Sequence, residues 1–311
     1  MSEVSDSHTD NFEIRWRNFR SFDDTGWLTI KPLTVLLGPN NSGKSSIIAP
    51  LLALAQTYDS RDIRIPLVTN GNYVDLGGYA QLIRNHNAKL PLHLGVRYHV
   101  HRPIKDPKDV GTYAPAGIEA TFQTSPEKGS IILRRIKATD LFKRKYYSRT
   151  KIKTGYNLSG AIKTSEMLPR EREAVRKSLP TNFLFTPMSA LSRFEDLERE
   201  TTKEKPDFSA EFSHYLSAVS NTSSDMFGFL RSMTYIGPMR EKPHRHYDLR
   251  AEEVKSVGVR GEHTASLLRK TKGDKKTRLN QWVRRFGFGN RVRLIELAEG
   301  LASIEFVQDH G

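Results

Sequence analysis

Apolar and polar residues alternate through Phe12–Phe22 (FEIRWRNFRSF), the period-two pattern of a strand with one buried face. Trp27–Ile30 (WLTI) predicts a short partner strand after a turn at Asp23–Gly26. Leu33–Gly38 (LTVLLG) is continuously apolar and ends on glycine, which predicts a strand buried on both faces. Ser45–Tyr58 (SSIIAPLLALAQTY) predicts an apolar helix in which Pro50 introduces a kink. Leu90–Val100 predicts a further strand, with Gly117–Gln123 and Ser130–Ala138 as antiparallel partners and a Pro/Lys/Asp-rich loop over 102–115. From about Leu141 to Ser232 the chain turns polar. Its best helices there are Pro169–Leu179, with proline at its start, and Phe208–Ser220. Met233–Tyr247 reads as a strand followed by a loop, Thr277–Gly289 as an amphipathic helix stopped by glycine, and Arg291–Leu297 with Leu301–Val307 as a hairpin. No internal repeat is present. The expected organisation is a disordered tail (1–11), a first lobe with antiparallel strands (12–140), a mostly helical basic insertion or second lobe (141–232), and a return to the core (233–311).

Between the predicted buried strand and apolar helix lies GPNNSGKS, which fits GxxxxGK[ST] at Gly38, Gly43, Lys44 and Ser45. The glycines let the backbone bend so that several N–H groups converge on one point. Lys44 would reach β- and γ-phosphates, the Ser45 hydroxyl would ligate Mg²⁺, and the helix directs its positive end at the anion. The candidate nucleotide-binding set is Gly38, Pro39, Asn40, Asn41, Ser42, Gly43, Lys44, Ser45 and Ser46, with ATP and Mg²⁺ as cofactors. The fold class that follows is α/β, a P-loop NTPase with an antiparallel lobe and a helical insertion.

Composition changes the picture in two ways. The chain carries no cysteine, which excludes disulfides and thiolate chemistry, and no apolar run long enough for a membrane span. A cytoplasmic protein is expected. Its net charge is +14, which favours a polyanionic partner. Phe142–Tyr156 (FKRKYYSRTKIKTGY) concentrates Lys143, Arg144, Lys145, Arg149, Lys151 and Lys153, without an acid and with three tyrosines, as a candidate nucleic-acid surface. Leu267–Arg285 is a second basic block, with eight Lys/Arg against one Asp. Neither holds a motif that reads sequence, so binding is expected to be non-specific and salt-sensitive.

The stretch NFRSFDDTGWLTIKPLTVLLGPNNSGKSSII resembles the N-terminal segment of ABC-type ATPases of the RecF, SMC and OLD-nuclease group. YVDLGGYAQLIRN, YIGPMREKPHRHY, VGVRGEHTASLL and LNQWVRRFGFG resemble, in order, segments of bacterial AAA-family ATPases that share a C-terminal domain of unknown function. Relatives of that broad group occur in OLD-type and in Septu or retron-associated phage-defence systems. The resemblance implies an ABC-like head that sandwiches ATP between two copies, in a homodimer or higher oligomer, and that gates DNA access or an effector nuclease.

Such heads also use an apolar run ending in Asp-Glu, a Ser-Gly-rich segment that clamps the γ-phosphate, and a sensing histidine. No apolar run here is followed by Asp-Glu, and SNTSSDMFG is serine-rich without the glycine pair. Glu296 and Glu299 read better as solvent-facing residues of a strand. In the resembled family these elements follow the closing hairpin, so the sequence predicts a chain that stops short of them. A fragment is the favoured expectation, with a natural split or a non-hydrolysing ATP-binding scaffold as alternatives. Four further residues are candidates at the nucleotide: Gln81 near Mg²⁺ and water, Arg240 after the Gly-Pro turn of YIGPMRE, and Arg17 and Arg20 in RNFRSF. Gln56 lies about three turns beyond Lys44 and is set aside. The i,i+2 histidines His99/His101 and His244/His246 lack a third ligand nearby in sequence and are not read as a metal site.

Overall fold

The computed structural model describes residues 12–98, 115–127, 129–140, 145–198, 208–249, 254 and 256–308, which separate into two units between Met233 and Thr234. The expected tail, most of the 102–115 loop, and His99 and His101 lie outside the described residues. No helix among the described residues is long and apolar enough to cross a membrane.

In the first unit an eight-stranded antiparallel sheet begins with β1 (Phe12–Phe19), β2 (Phe22–Asp24) and β3 (Leu28–Ile30), the last two both pairing with β1. Ile14 and Trp16 of β1 are buried, as alternation requires, and then the phase shifts to Phe19. Asn18 absorbs the extra residue by adopting a positive φ of 58°, which asparagine tolerates better than most side chains. Its side-chain amide donates to the Pro91 carbonyl at 2.8 Å.

Leu33–Gly38 forms no strand, contrary to the sequence expectation: Leu33 and Leu37 are 84% and 87% exposed. A strand buried on both faces needs a hydrogen-bonded neighbour, and no described strand pairs with this segment. Hydrophobicity marked it as strand-like but could not supply the neighbour.

The helix α1 (Lys44–Tyr58) follows as predicted, with Ala49 to Thr57 all buried and Pro50 inside it. Trp16 Nε1 donates to the Ile47 carbonyl at 2.7 Å, which fastens the start of α1 to β1. A short helix α2 (Tyr79–Leu82) precedes β4 (Leu92–Tyr98), β5 (Pro115–Thr124) and β6 (Ile131–Asp140), paired in the expected antiparallel order. The Tyr79 hydroxyl joins α2 to this sheet. It lies 2.9 Å from the Leu90 carbonyl and 2.8 Å from that of Phe122, and accepts from the Leu92 N–H at 3.0 Å. Burial raises its pKa to about 12. Tyr79→Phe leaves the Leu92 N–H buried without its acceptor, and should lower stability by about 1–3 kcal/mol in urea unfolding.

The boundary expected near residue 140 is absent. Two strands, β7 (Lys145–Ile152) and β8 (Gly155–Gly160), continue the same sheet beyond β6. The basic side chains of β7 disguise its buried residues, so the segment read as part of a polar lobe. The helices α3 (Pro169–Lys177), α4 (Pro187–Glu198) and α5 (Ala210–Ser232) contribute Ala174, Val175, Ala190, Phe194, Phe212 and Tyr215 to the same core as the sheet. Helix α5 runs twelve residues past the predicted Ser220, through the serine-rich stretch. Its Thr222 and Ser223 hydroxyls turn back onto the Ala218 and Ser220 carbonyls, so they are satisfied inside the helix.

Residues 233–246 hold no strand, unlike the expectation for Met233–Tyr247; in the second unit β9 (Tyr247–Asp248) pairs with β11. The helices α6 (Thr264–Lys270) and α7 (Gly273–Arg285) precede the predicted hairpin, β10 (Arg291–Ala298) with β11 (Leu301–Val307). Leu249, Ala265 and Ala302 form its small core. Glu296 pairs with Arg269 at 3.1 Å, consistent with a structural glutamate on a strand.

Candidate functional site

The loop from Gly38 to Ser45 is shaped by residues that a side chain would obstruct. A Cβ at Gly38 would stand 2.8 Å from the Ser42 Oγ, closer than real contacts allow. Gly43 takes a φ of 89°, a left-handed conformation that favours glycine, and a Cβ there would meet the Phe22 ring at 3.2 Å. The Ser42 N–H donates to the Pro39 carbonyl at 3.3 Å, closing the turn, and the Ser46 N–H reaches the Gly43 carbonyl at 2.9 Å as the first bond of α1.

Helix α1 therefore begins at the end of the loop with its N-terminal amides uncapped. Its N-cap, Gly43, offers no side chain, and its first turn carries no acid. Unpaired N–H groups and the helix dipole make such an end attractive to anions. The Lys44 ammonium folds back across the loop, donating to the Gly38 carbonyl at 2.8 Å and the Pro39 carbonyl at 2.6 Å. No carboxylate among the described residues neutralises it. A cation held only by neutral carbonyls, beside an uncapped helix end, fits a polyphosphate. Asn40, Asn41, Ser42 and Ser45 are exposed around it, while Ser46 is buried.

The tertiary structure also brings in residues the sequence did not single out. The turn between β1 and β2 places the Ser21 Oγ and the Phe22 ring against Gly43. Nothing in their spacing announced this; only the fold of the hairpin brings them to the loop. Arg20 lies in this turn, next to Ser21, and its N–H donates to the Leu82 carbonyl at 2.8 Å. Gln81 precedes Leu82, but its Oε1 accepts from the Gly78 N–H at 2.6 Å and so caps its own helix. Arg17 turns to Asp24, with Nε 3.5 Å from the carboxylate that also receives Arg15. Those arginines hold the Asp24 carboxyl down to about 2, the Arg15 hydrogen bond contributing most. Gln56 is buried and bonds the Val68 carbonyl and the Val74 N–H. Arg240 belongs to the second unit, where it is exposed. Its neighbour Glu241 engages His244 Nε2 at 3.0 Å instead of Arg240.

The first basic block is corrected at Arg149 and at its tyrosines. Lys143 and Arg144 lie outside the described residues. Arg149 is wholly buried, and so are all three tyrosines, Tyr146, Tyr147 and Tyr156, at 3% exposure or less. They cannot stack on bases or meet phosphates at the surface. Both faces of β7 are covered from Tyr146 to Arg149, and Tyr156 is buried on the neighbouring β8. Lys145 and Lys153 are exposed, and Lys151 lies 5.0 Å over the Tyr156 ring.

Residues 12–234 match the family described as AAA ATPase domain, well over half of the chain. No curated protein matches the sequence.

Proposed function

This chain belongs to the AAA ATPase domain family, and on that premise we propose that it is an ABC-type head whose ATP cycle serves work on nucleic acid or the control of an effector. Membership implies a P-loop NTPase that binds ATP, usually with Mg²⁺. The observation that carries the reading is Lys44, an ammonium held by the Gly38 and Pro39 carbonyls beside the uncapped start of α1. Lys44 would hold the terminal phosphates and shield their charge. The N–H groups at the start of α1 would orient them, and the Ser45 hydroxyl would ligate Mg²⁺. When bound, ATP supplies a phosphoanhydride whose binding or cleavage drives a change of state. Support for a nucleic-acid partner is the net charge of +14, together with the resemblance to the RecF, SMC and OLD-nuclease group. That resemblance also makes a dimer joined through ATP, a role in phage defence or DNA maintenance, and a cytoplasmic location part of the proposal.

Calorimetric titration with ATP, with and without Mg²⁺, followed by mobility assays on single-stranded and duplex DNA at rising salt, tests both halves. The expected outcome is Mg²⁺-assisted ATP binding, and DNA binding whose affinity falls steeply between about 50 and 200 mM salt. Absence of ATP binding would overturn the whole reading. ATP binding with no DNA retained at the lowest salt would remove the nucleic-acid half and leave an ATP-binding scaffold for a partner effector.

A further inference from the structure

The second unit carries four large aromatic rings on its surface. Trp282, Phe286, Phe288 and Phe306 are 49%, 65%, 60% and 55% exposed. They are not scattered. Trp282 stacks on Phe286 at 5.7 Å between centroids, Phe286 meets Phe288 at 6.3 Å, and Phe288 meets Phe306 at 5.7 Å. The result is one strip running from the end of α7 across the following turn to the end of β11. The backbone fixes its course: the Phe286 N–H bonds the Trp282 carbonyl and the Phe288 N–H bonds the Val283 carbonyl, at 3.0 and 3.1 Å.

Helix α7 buries only Val283, and its Asn280 side chain accepts from the Val292 N–H of β10 at 3.1 Å. That face is committed to the hairpin. At 100° per residue, Lys275, Arg278, Trp282 and Arg285 fall together on another stripe, and all four are exposed. Neither Lys275 nor Arg278 pairs with a carboxylate among the described residues, and the Arg285 guanidinium lies 5.2 Å over the Trp282 ring. Acids are few on the elements that carry the rings: α7 has only Asp274 and β11 only Glu305.

Exposed apolar strips of this kind mark interaction surfaces. The row of cations decides the chemistry of the partner, since it complements a polyanion that also presents flat apolar faces. We propose that the α7–β11 aromatic strip is a stacking platform for single-stranded nucleic acid, with the bases on Trp282, Phe286 and their neighbours and the phosphates on Lys275, Arg278 and Arg285. A duplex hides its base faces and would gain only the electrostatic part. The proposal rests on the nucleic-acid reading above and gives it a place and a strand preference.

The test uses fluorescence anisotropy of a labelled oligo-dT and of a duplex of equal length, on the whole chain at low salt. Wild type should bind the single strand more tightly than the duplex. Trp282→Ala with Phe286→Ala should weaken oligo-dT binding by about tenfold or more and duplex binding little. Trp282→Phe, which keeps a ring, should restore most of the affinity when Phe286 is intact. Lys275→Ala with Arg278→Ala should weaken both ligands and flatten the salt dependence. Circular dichroism confirms that each variant is folded. If the double aromatic variant binds oligo-dT like wild type while both bind DNA, the platform is overturned and the broader reading survives. If wild type binds neither ligand, both fall. If the aromatic substitutions abolish self-association in sedimentation and leave DNA binding unchanged, the strip is a protein interface and the proposal is wrong.

Discussion

Lys44→Ala lowers ATP affinity by about ten- to a hundredfold, the consequence of losing hydrogen bonds to a charged group worth roughly 1.5–3 kcal/mol. Calorimetric titration at matched Mg²⁺ measures it. In the structure Lys44 bonds only the Gly38 and Pro39 carbonyls, both in an exposed loop. The unliganded chain should therefore keep its stability within about 0.5 kcal/mol, as exposed substitutions generally do. The two measurements together are what give the result meaning. At an ATP concentration of about a hundred times Kd, wild type gains roughly 2.7 kcal/mol of apparent stability by mass action, and the variant should gain far less. Lys44→Arg keeps the charge but replaces a compact ammonium with a planar fork, and should not restore full affinity. Unchanged ATP affinity in the alanine variant would place the nucleotide elsewhere.

Arg149→Ala should destabilise the fold by about 3–5 kcal/mol, the range for deleting a large buried side chain, with its acceptors left unpaired. Arg149 is fully buried between β7 and the helices. Its guanidinium bonds the Tyr215 hydroxyl and the Val175 carbonyl, reaches the Ser178 Oγ at 3.2 Å and the Tyr156 carbonyl at 3.3 Å, and lies 4.1 Å over the Phe185 ring. Burial pulls its pKa down, against the opposing effect of the surrounding tyrosines. Alanine would leave those acceptors unpaired and a cavity as well. With a shift of about 2–4 °C per kcal/mol for a unit of this size, Tm should fall by roughly 6–20 °C. Arg149→Met preserves the packed stem and should cost noticeably less, which separates packing from hydrogen bonding. A loss below about 1 kcal/mol for alanine would contradict the buried network. Any loss of DNA binding in this variant should follow its loss of fold, since the side chain does not reach the surface.

Much of the architecture was legible in the chain because it depends on neighbours in sequence. Helix α1, the strands β3, β4, β5 and β6, and the β10–β11 hairpin lie close to their predicted bounds, each with a glycine or proline near at least one end. The strand predicted over Phe12–Phe22, by contrast, stops at Phe19, and β2 takes Phe22–Asp24 where the turn was expected. The failures share a different cause. Leu33–Gly38 looked like the interior of a sheet, yet a strand exists only with a partner, and its residues lie exposed. The segment carrying β7 and β8 looked like a polar lobe because charge was read as exposure. Arg149 shows why that inference fails: a guanidinium can lie inside when hydroxyls, carbonyls and a ring face receive it.

The sequence by itself determined the Gly38–Ser45 loop. Eight consecutive residues, with glycines at Gly38 and Gly43 and an ammonium at Lys44, carry their own backbone instructions, and the structure shapes them into an uncapped helix start with a cation across it. Only the tertiary structure decided which cations and rings reach solvent. Arg149 and the tyrosines of the first basic block turned inward, whereas the rings of Trp282, Phe286, Phe288 and Phe306 were left outside and in a row. A residue's charge or ring is local, but which side of its element is covered depends on what packs there.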